Sequence, residues 1–140
     1  GWMEDEINAC LALGHCHMSL HQEKHALLAL TRSFCYDTPR AEACCRLGYL
    51  YKGRGDHVRA LFWFDLALHL KKPEQSWGFT RDDDWGYVPM IESAVCHYAL
   101  GDLDRAEECN DKAAQMKPNA PEVKHNQAFF ASVRQVHEQS

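Results

Sequence analysis

Six potential metal ligands crowd the start of the chain: Cys10, His15, Cys16, His17, His21 and His25. Thiolates and imidazoles are the natural donors for zinc, and His17, His21 and His25 are spaced to line up along one continuous helix. The spacing does not complete a site. His21 falls at a break between two helices, and Cys10 and His17 fall at inward packing positions. Neither a Cys-x-x-Cys nor a His-Glu-x-x-His pattern is present. The expectation is that no metal is bound and that the chain carries no cofactor. A zinc protein built on this cluster is the rival reading.

Asp82-Asp83-Asp84 formally contains Asp-x-Asp, which holds a metal when it ends a strand in an α/β nucleotide-binding domain. No strand alternation surrounds it here. Helix capping ahead of Trp85, with complementation of the helix dipole, is the expected role. Cys44 and Cys45 are adjacent, so on a helix they face different directions, and no setting that would lower a thiol pKa is evident. Arg54-Gly55-Asp56 spells an adhesion tripeptide but is also a turn that the helices around it require. No nucleophile and base pattern and no glycine-rich phosphate loop occurs. The expectation is a chain with no catalytic residues, not an enzyme.

Composition narrows the classes further. Fifteen basic against twenty acidic residues give a net charge of −5, and the longest basic run is Lys71-Lys72, so the footprint of a phosphate-backbone binder is missing. No apolar run approaches the ~18 residues a membrane span needs, and no signal segment opens the chain. With 46% hydrophobic residues, disorder is not expected. Seven cysteines, an odd number without paired spacing, read as reduced, buried thiols in a cytoplasmic compartment. A start at Gly1-Trp2 suggests a piece cut from a longer protein, with Gly1 left by the cutting.

The elements that place these residues follow from one period. Leu13-Gly14, Ala26, Leu30 and Ser33 are followed 34 residues later by Leu47-Gly48, Ala60, Phe64 and Ala67. This is the length of a helix–turn–helix repeat whose small residues let two helices approach closely. Repeat one is expected over about residues 7–39, with helices near 3–20 and 23–36. Repeat two is expected over about 41–73, with helices near 40–52 and 57–71. Its turn, Gly53-Arg54-Gly55-Asp56, combines a glycine stop with an aspartate N-cap, and Pro73 ends the second helix. Leu100-Gly101-Asp102, Ala106 and Ala113 mark a third repeat over about 87–120, after an insertion over 74–86. Residues 121–138 then supply a capping helix, which a stacked array needs over its last apolar face.

These residues resemble the tetratricopeptide repeat family, and the resemblance covers about residues 5–120. Repeat two carries it best, through Leu47, Gly48, Tyr51, Ala60, Phe64 and Ala67. Repeat one departs at His17, and repeat three at Ser93, Ala94, His97 and Asn110. The resemblance implies an all-α, right-handed superhelix of three helical hairpins plus a C-terminal capping helix, and a protein-binding function. It also implies a concave groove lined by Asn8, Leu11, His15 and Met18, by Glu42, Cys45, Tyr49 and Lys52, and by Val88, Ile91, Val95 and Tyr98. Members that clamp acidic C-termini place lysine and asparagine where this chain has Leu11/His15, Cys45/Tyr49 and Ile91/Val95, so that clamp is not expected. An apolar helix, a peptide, a neighbouring domain or a second copy in a homodimer suits the groove better.

The insertion adds a narrower resemblance. Trp77-Gly78-Phe79, the aspartates, Trp85-Gly86-Tyr87-Val88-Pro89, Cys96-His97-Tyr98, Asn110, Asn126 and Phe129-Phe130 are similar to a repeat region following the catalytic domain of some bacterial family 2 glycosyltransferases. The resemblance implies an accessory module that docks an acceptor protein, the catalytic domain or a second subunit. Trp77, Phe79 and Trp85 form either a patch for that partner or a plug packed onto the neighbouring helices. A free-standing adaptor and a structural spacer remain alternatives.

Overall fold

The computed structural model describes residues 1–72 and 81–139. Trp77 and Phe79 of the expected patch, and Pro73, lie outside the described residues. Among the described residues seven α-helices follow one another: α1 (Trp2–Ser19), α2 (Glu23–Arg32), α3 (Ala41–Gly53), α4 (His57–His69), α5 (Tyr87–Ala99), α6 (Leu103–Met116) and α7 (Pro121–Gln139). Among the described residues there is no strand. Helices α1/α2, α3/α4 and α5/α6 form hairpins, α4 packs on α5, and α7 lies on α6.

The turns inside the hairpins share one hydrogen-bond pattern. Gly55 takes a φ of 76° and Gly101 a φ of 85°, the left-handed stop for which glycine has no Cβ penalty. The next residue, Asp56 or Asp102, accepts a bond from the backbone N–H of Arg59 or Arg105 at 3.1 Å, as an N-cap should. Hairpin one makes the same turn with less suitable residues. His21 sits in the glycine place with a φ of 56°. Gln22 sits in the aspartate place without a side-chain cap, its Oε1 lying 2.7 Å from His17 Nδ1. The changes His21→Gly and Gln22→Asp are each expected to stabilise the chain by about 0.5–1 kcal/mol, read as a higher urea midpoint. A lower midpoint for both would contradict this reading of the turn.

Small residues set the distance between the two helices of each hairpin. A Cβ built on Gly14 would stand 2.5 Å from Leu30 Cδ2, and one on Gly48 would stand 2.6 Å from the Phe64 ring. In hairpin three the exchange runs the other way. Ala94 stands at the place of Gly48 and the smaller Asn110 at that of Phe64; Asn110 is buried and held by polar bonds: its Nδ2 donates to Val123 O at 3.2 Å, and its Oδ1 accepts from Asn126 Nδ2 at 3.1 Å. Those bonds tie α6 to α7, so the departure of repeat three from the period is the junction with the capping helix. Val123 and Phe130 of α7 bury themselves against Ile91, Ala113, Ala94 and Ala106.

Two boundaries differ from the expected ones. Helix α2 stops at Arg32 and continues as a 3-10 turn, Ser33–Cys35, because Thr31 and Ser33 bond back to Leu27 O and Leu30 O at 2.7 Å. The aspartates are not the cap of α5, which corrects the expectation for them. They form a 3-10 turn, Asp82–Trp85, and α5 starts after Gly86 with no side-chain cap.

Candidate partner-binding groove

Helices α1, α3 and α5 are the first helix of each hairpin, and the residues expected for the groove lie on them at two depths. Leu11, Glu42, Cys45 and Ile91 are buried and form its floor. Asn8, His15, Met18, Tyr49, Lys52, Val88, Val95 and Tyr98 are half-buried and form its walls. The family positions that nominate these twelve residues do not separate floor from walls. That separation depends on how far each hairpin is turned against the next.

The aspartate turn closes on this face. It brings Arg81 and Asp84 beside His15, Met18, Ser19, Arg46, Tyr49 and Val88 around a recess of about 380 Å³. Asp82 pairs with Lys72, just past α4, and Asp83 with Lys117 at the end of α6, so the start of the turn is held from two sides. Asp84 points inward and is only 3% exposed. Its carboxylate faces Arg46 Nη2 at 3.6 Å, and its carbonyl accepts from Cys45 Sγ at 3.3 Å. Trp85 packs on the core of α3 and α4 that contains Ala41, Cys44, Cys45, Ala60 and Phe64. A second recess of about 360 Å³ lies along the same face between α5 and α7. It is lined by Ile91, Glu92, Val95, Pro121, Glu122, His125 and Asn126, and is mainly apolar. Lys52 bridges α3 to α5 through Glu92 at 2.6 Å, and Tyr98 is occupied by edge contact with Phe129 at 5.0 Å.

Beneath the first recess lies a cluster of buried charge. Glu42 is 1% exposed and Arg46 6%. Glu42 Oε2, Arg46 Nε, Asp84 Oδ2, Arg40 Nε and Trp85 Nε1 are buried without a hydrogen bond of ordinary geometry among the described residues. Burial, reinforced by the neighbouring Asp84, pushes the Glu42 carboxyl up to about 7; the Trp85 indole and Arg40 pull the other way. Burial likewise raises Asp84 against the pull of Arg46 and Arg81, and lowers His15, with Arg46 and Arg81 acting in the same direction. Arg46, Arg81 and Asp84 were absent from the expected groove because family positions nominate only chosen faces of the inner helices. An apolar neighbourhood gives no sign that a charge is buried in it.

His17 and His25 have ring centroids 5.3 Å apart, and His17 Nδ1 lies 2.7 Å from Gln22 Oε1. Among the described residues no three His, Cys, Asp or Glu side chains gather as a metal site. Cys44 and Cys45 are fully buried, and burial pushes the Cys44 thiol up to about 12, the opposite of what a reactive thiol needs. No described helix is long and apolar enough to cross a membrane. Residues 41–73, which contain α3 and α4, match the family described as tetratricopeptide repeat. No curated protein matches the chain.

Proposed function

We propose that this chain, an all-α tetratricopeptide-like helical repeat, is a non-catalytic interaction module. Its concave face takes an extended or helical segment of a partner protein. Repeats of this family generally mediate protein–protein contacts. The observation that carries the reading is the pair of recesses on one face: a polar one at His15, Arg81 and Tyr49, and an apolar one at Ile91, Val95 and Pro121. A segment with an apolar anchor for the second recess and a polar residue for the first matches that lining.

Selection of displayed peptides of about 15 residues against the chain tests this directly. Selected peptides should lose about tenfold or more in affinity on Val95→Glu or Arg81→Glu, and keep it on Val58→Glu, which changes an exposed residue of α4. Peptides that respond to Val58→Glu and ignore the other two would place binding elsewhere.

The resemblance of residues 39–131 to the repeat region of bacterial glycosyltransferases supports a narrower version, in which the module docks an acceptor protein or a catalytic domain in the cytoplasm. The coding sequence adjoining residue 1 tests that version. An α/β domain with Asp-x-Asp at a strand end supports it. Its absence removes the glycosyltransferase part and leaves the interaction module.

A further inference from the structure

The two ends of the array are built differently, and the difference is independent of the groove. At the C-terminal end α7 covers the last hairpin, burying Val123 and Phe130. At the N-terminal end nothing among the described residues covers the outer side of α1. Its outer side carries Ala9, Leu13, Cys16 and Leu20, all exposed, with Leu13 at 52% and Leu20 at 66%. The spacing i, i+4, i+7, i+11 makes one continuous apolar stripe on a helix.

The corresponding places in the next hairpins show what that stripe is for. One period later, Ala9, Leu13 and Cys16 become Ala43, Leu47 and Leu50, which are 0%, 0% and 4% exposed. Ala43 and Leu47 are buried against Ile7, Leu11 and Leu30, which belong to the preceding hairpin. In hairpin three the same places are Pro89, Ser93 and Cys96, all buried, and Cys96 packs on Cys44, Ala60 and Phe64 of the hairpin before it. In both interior cases the stripe is the surface by which an inner helix stacks on its predecessor. A terminal unit of a stacked array ordinarily turns a polar face outward. Here α1 keeps the interior pattern, with leucine at the very place where Leu47 is fully buried.

We infer that the outer face of α1 is a stacking surface for one more helical hairpin of the same repeat class, seated in the register in which hairpin one seats α3. The occupant is specified by its own surface: apolar side chains at the places held by Ile7, Leu11 and Leu30. A second copy of this chain stacking head to tail has no such surface free, because α7 already covers its last hairpin.

Internal duplication tests the inference with this chain's own residues. A chain running through residues 1–40 and then 7–140 places a second hairpin one against the outer face of the first, joined by the natural loop ahead of α3. The extended chain should melt as one unit, with helicity per residue maintained and a thermal midpoint about 5 °C or more above the parent. Leu13→Glu in the inner copy should abolish that rise. Leu13→Glu in the unextended chain should leave the midpoint within about 1 °C, because the residue is exposed there.

An added hairpin that melts separately, or a rise that survives the inner substitution, overturns the inference. So does a parent chain that sediments as a dimer and becomes a monomer on Leu13→Glu, since the face would then belong to a second copy.

Discussion

Replacing Phe64 by alanine should cost about 3–5 kcal/mol of folding stability, the largest loss expected from any single truncation in this chain. The ring is fully buried between α3 and α4, and Gly48 has no Cβ so that the ring can lie against the helix backbone. Ala60, Ala67, Cys44 and Cys45 around it are too short to fill the space, and of the larger neighbours Tyr49 meets the ring only at its edge, 5.5 Å between centroids. Urea denaturation at constant pH measures the loss. The reciprocal change, Gly48→Ala, should cost about 1–3 kcal/mol by overpacking, less what alanine returns in helix propensity. Combining Gly48→Ala with Phe64→Leu should recover part of that cost, because hairpin three carries alanine and a smaller residue, Ala94 and Asn110, at the same two places. A double variant less stable than the sum of the two singles would contradict this packing account.

The second large effect depends on pH. Glu42 has its carboxyl raised from 4.5 to about 7 by burial and by Asp84. In that window the native chain holds a proton that the unfolded chain has released, so stability falls as pH rises from about 4.5 to 7. Above that range the cost of burying the ionised carboxylate is fully present, and below it the cost is gone. Glu42→Gln should therefore raise stability by about 2–3 kcal/mol at pH 8 and change little at pH 4. The amide keeps an acceptor facing the Trp85 indole. Asp84, raised in the same direction, should leave a residual slope in the variant. Parallel pH profiles for the parent and Glu42→Gln would show that Glu42 is not the titrating group.

The hairpins were legible in the sequence because their signals are local. Gly14, Gly48, Ala26 and Ala60 repeat at the period, and Gly55-Asp56 and Gly101-Asp102 spell out a turn whose hydrogen bonds the structure repeats. Hairpin one was legible in spite of His21 and Gln22, since the helices on either side force the turn even where its residues suit it poorly. For the proposed groove, the depth of each residue was not legible. Leu11 and His15 both lie on the inner side of α1, and only packing against α3 makes one floor and the other wall. The role of the aspartates was not legible. Local pattern favours capping, whereas the observed role rests on Arg46, Lys72 and Lys117, which are distant in the chain.

The concave face is the proposed binding surface. The most direct measurement is amide hydrogen exchange of the chain with and without a selected peptide at saturation. Added protection should concentrate on α3 and α5, around Tyr49, Val88 and Val95, and on the turn at residues 81–85, while the solvent side of α4 and α6 stays unchanged. Protection confined to α4 and α6, with α3 and α5 unaffected, would contradict the account.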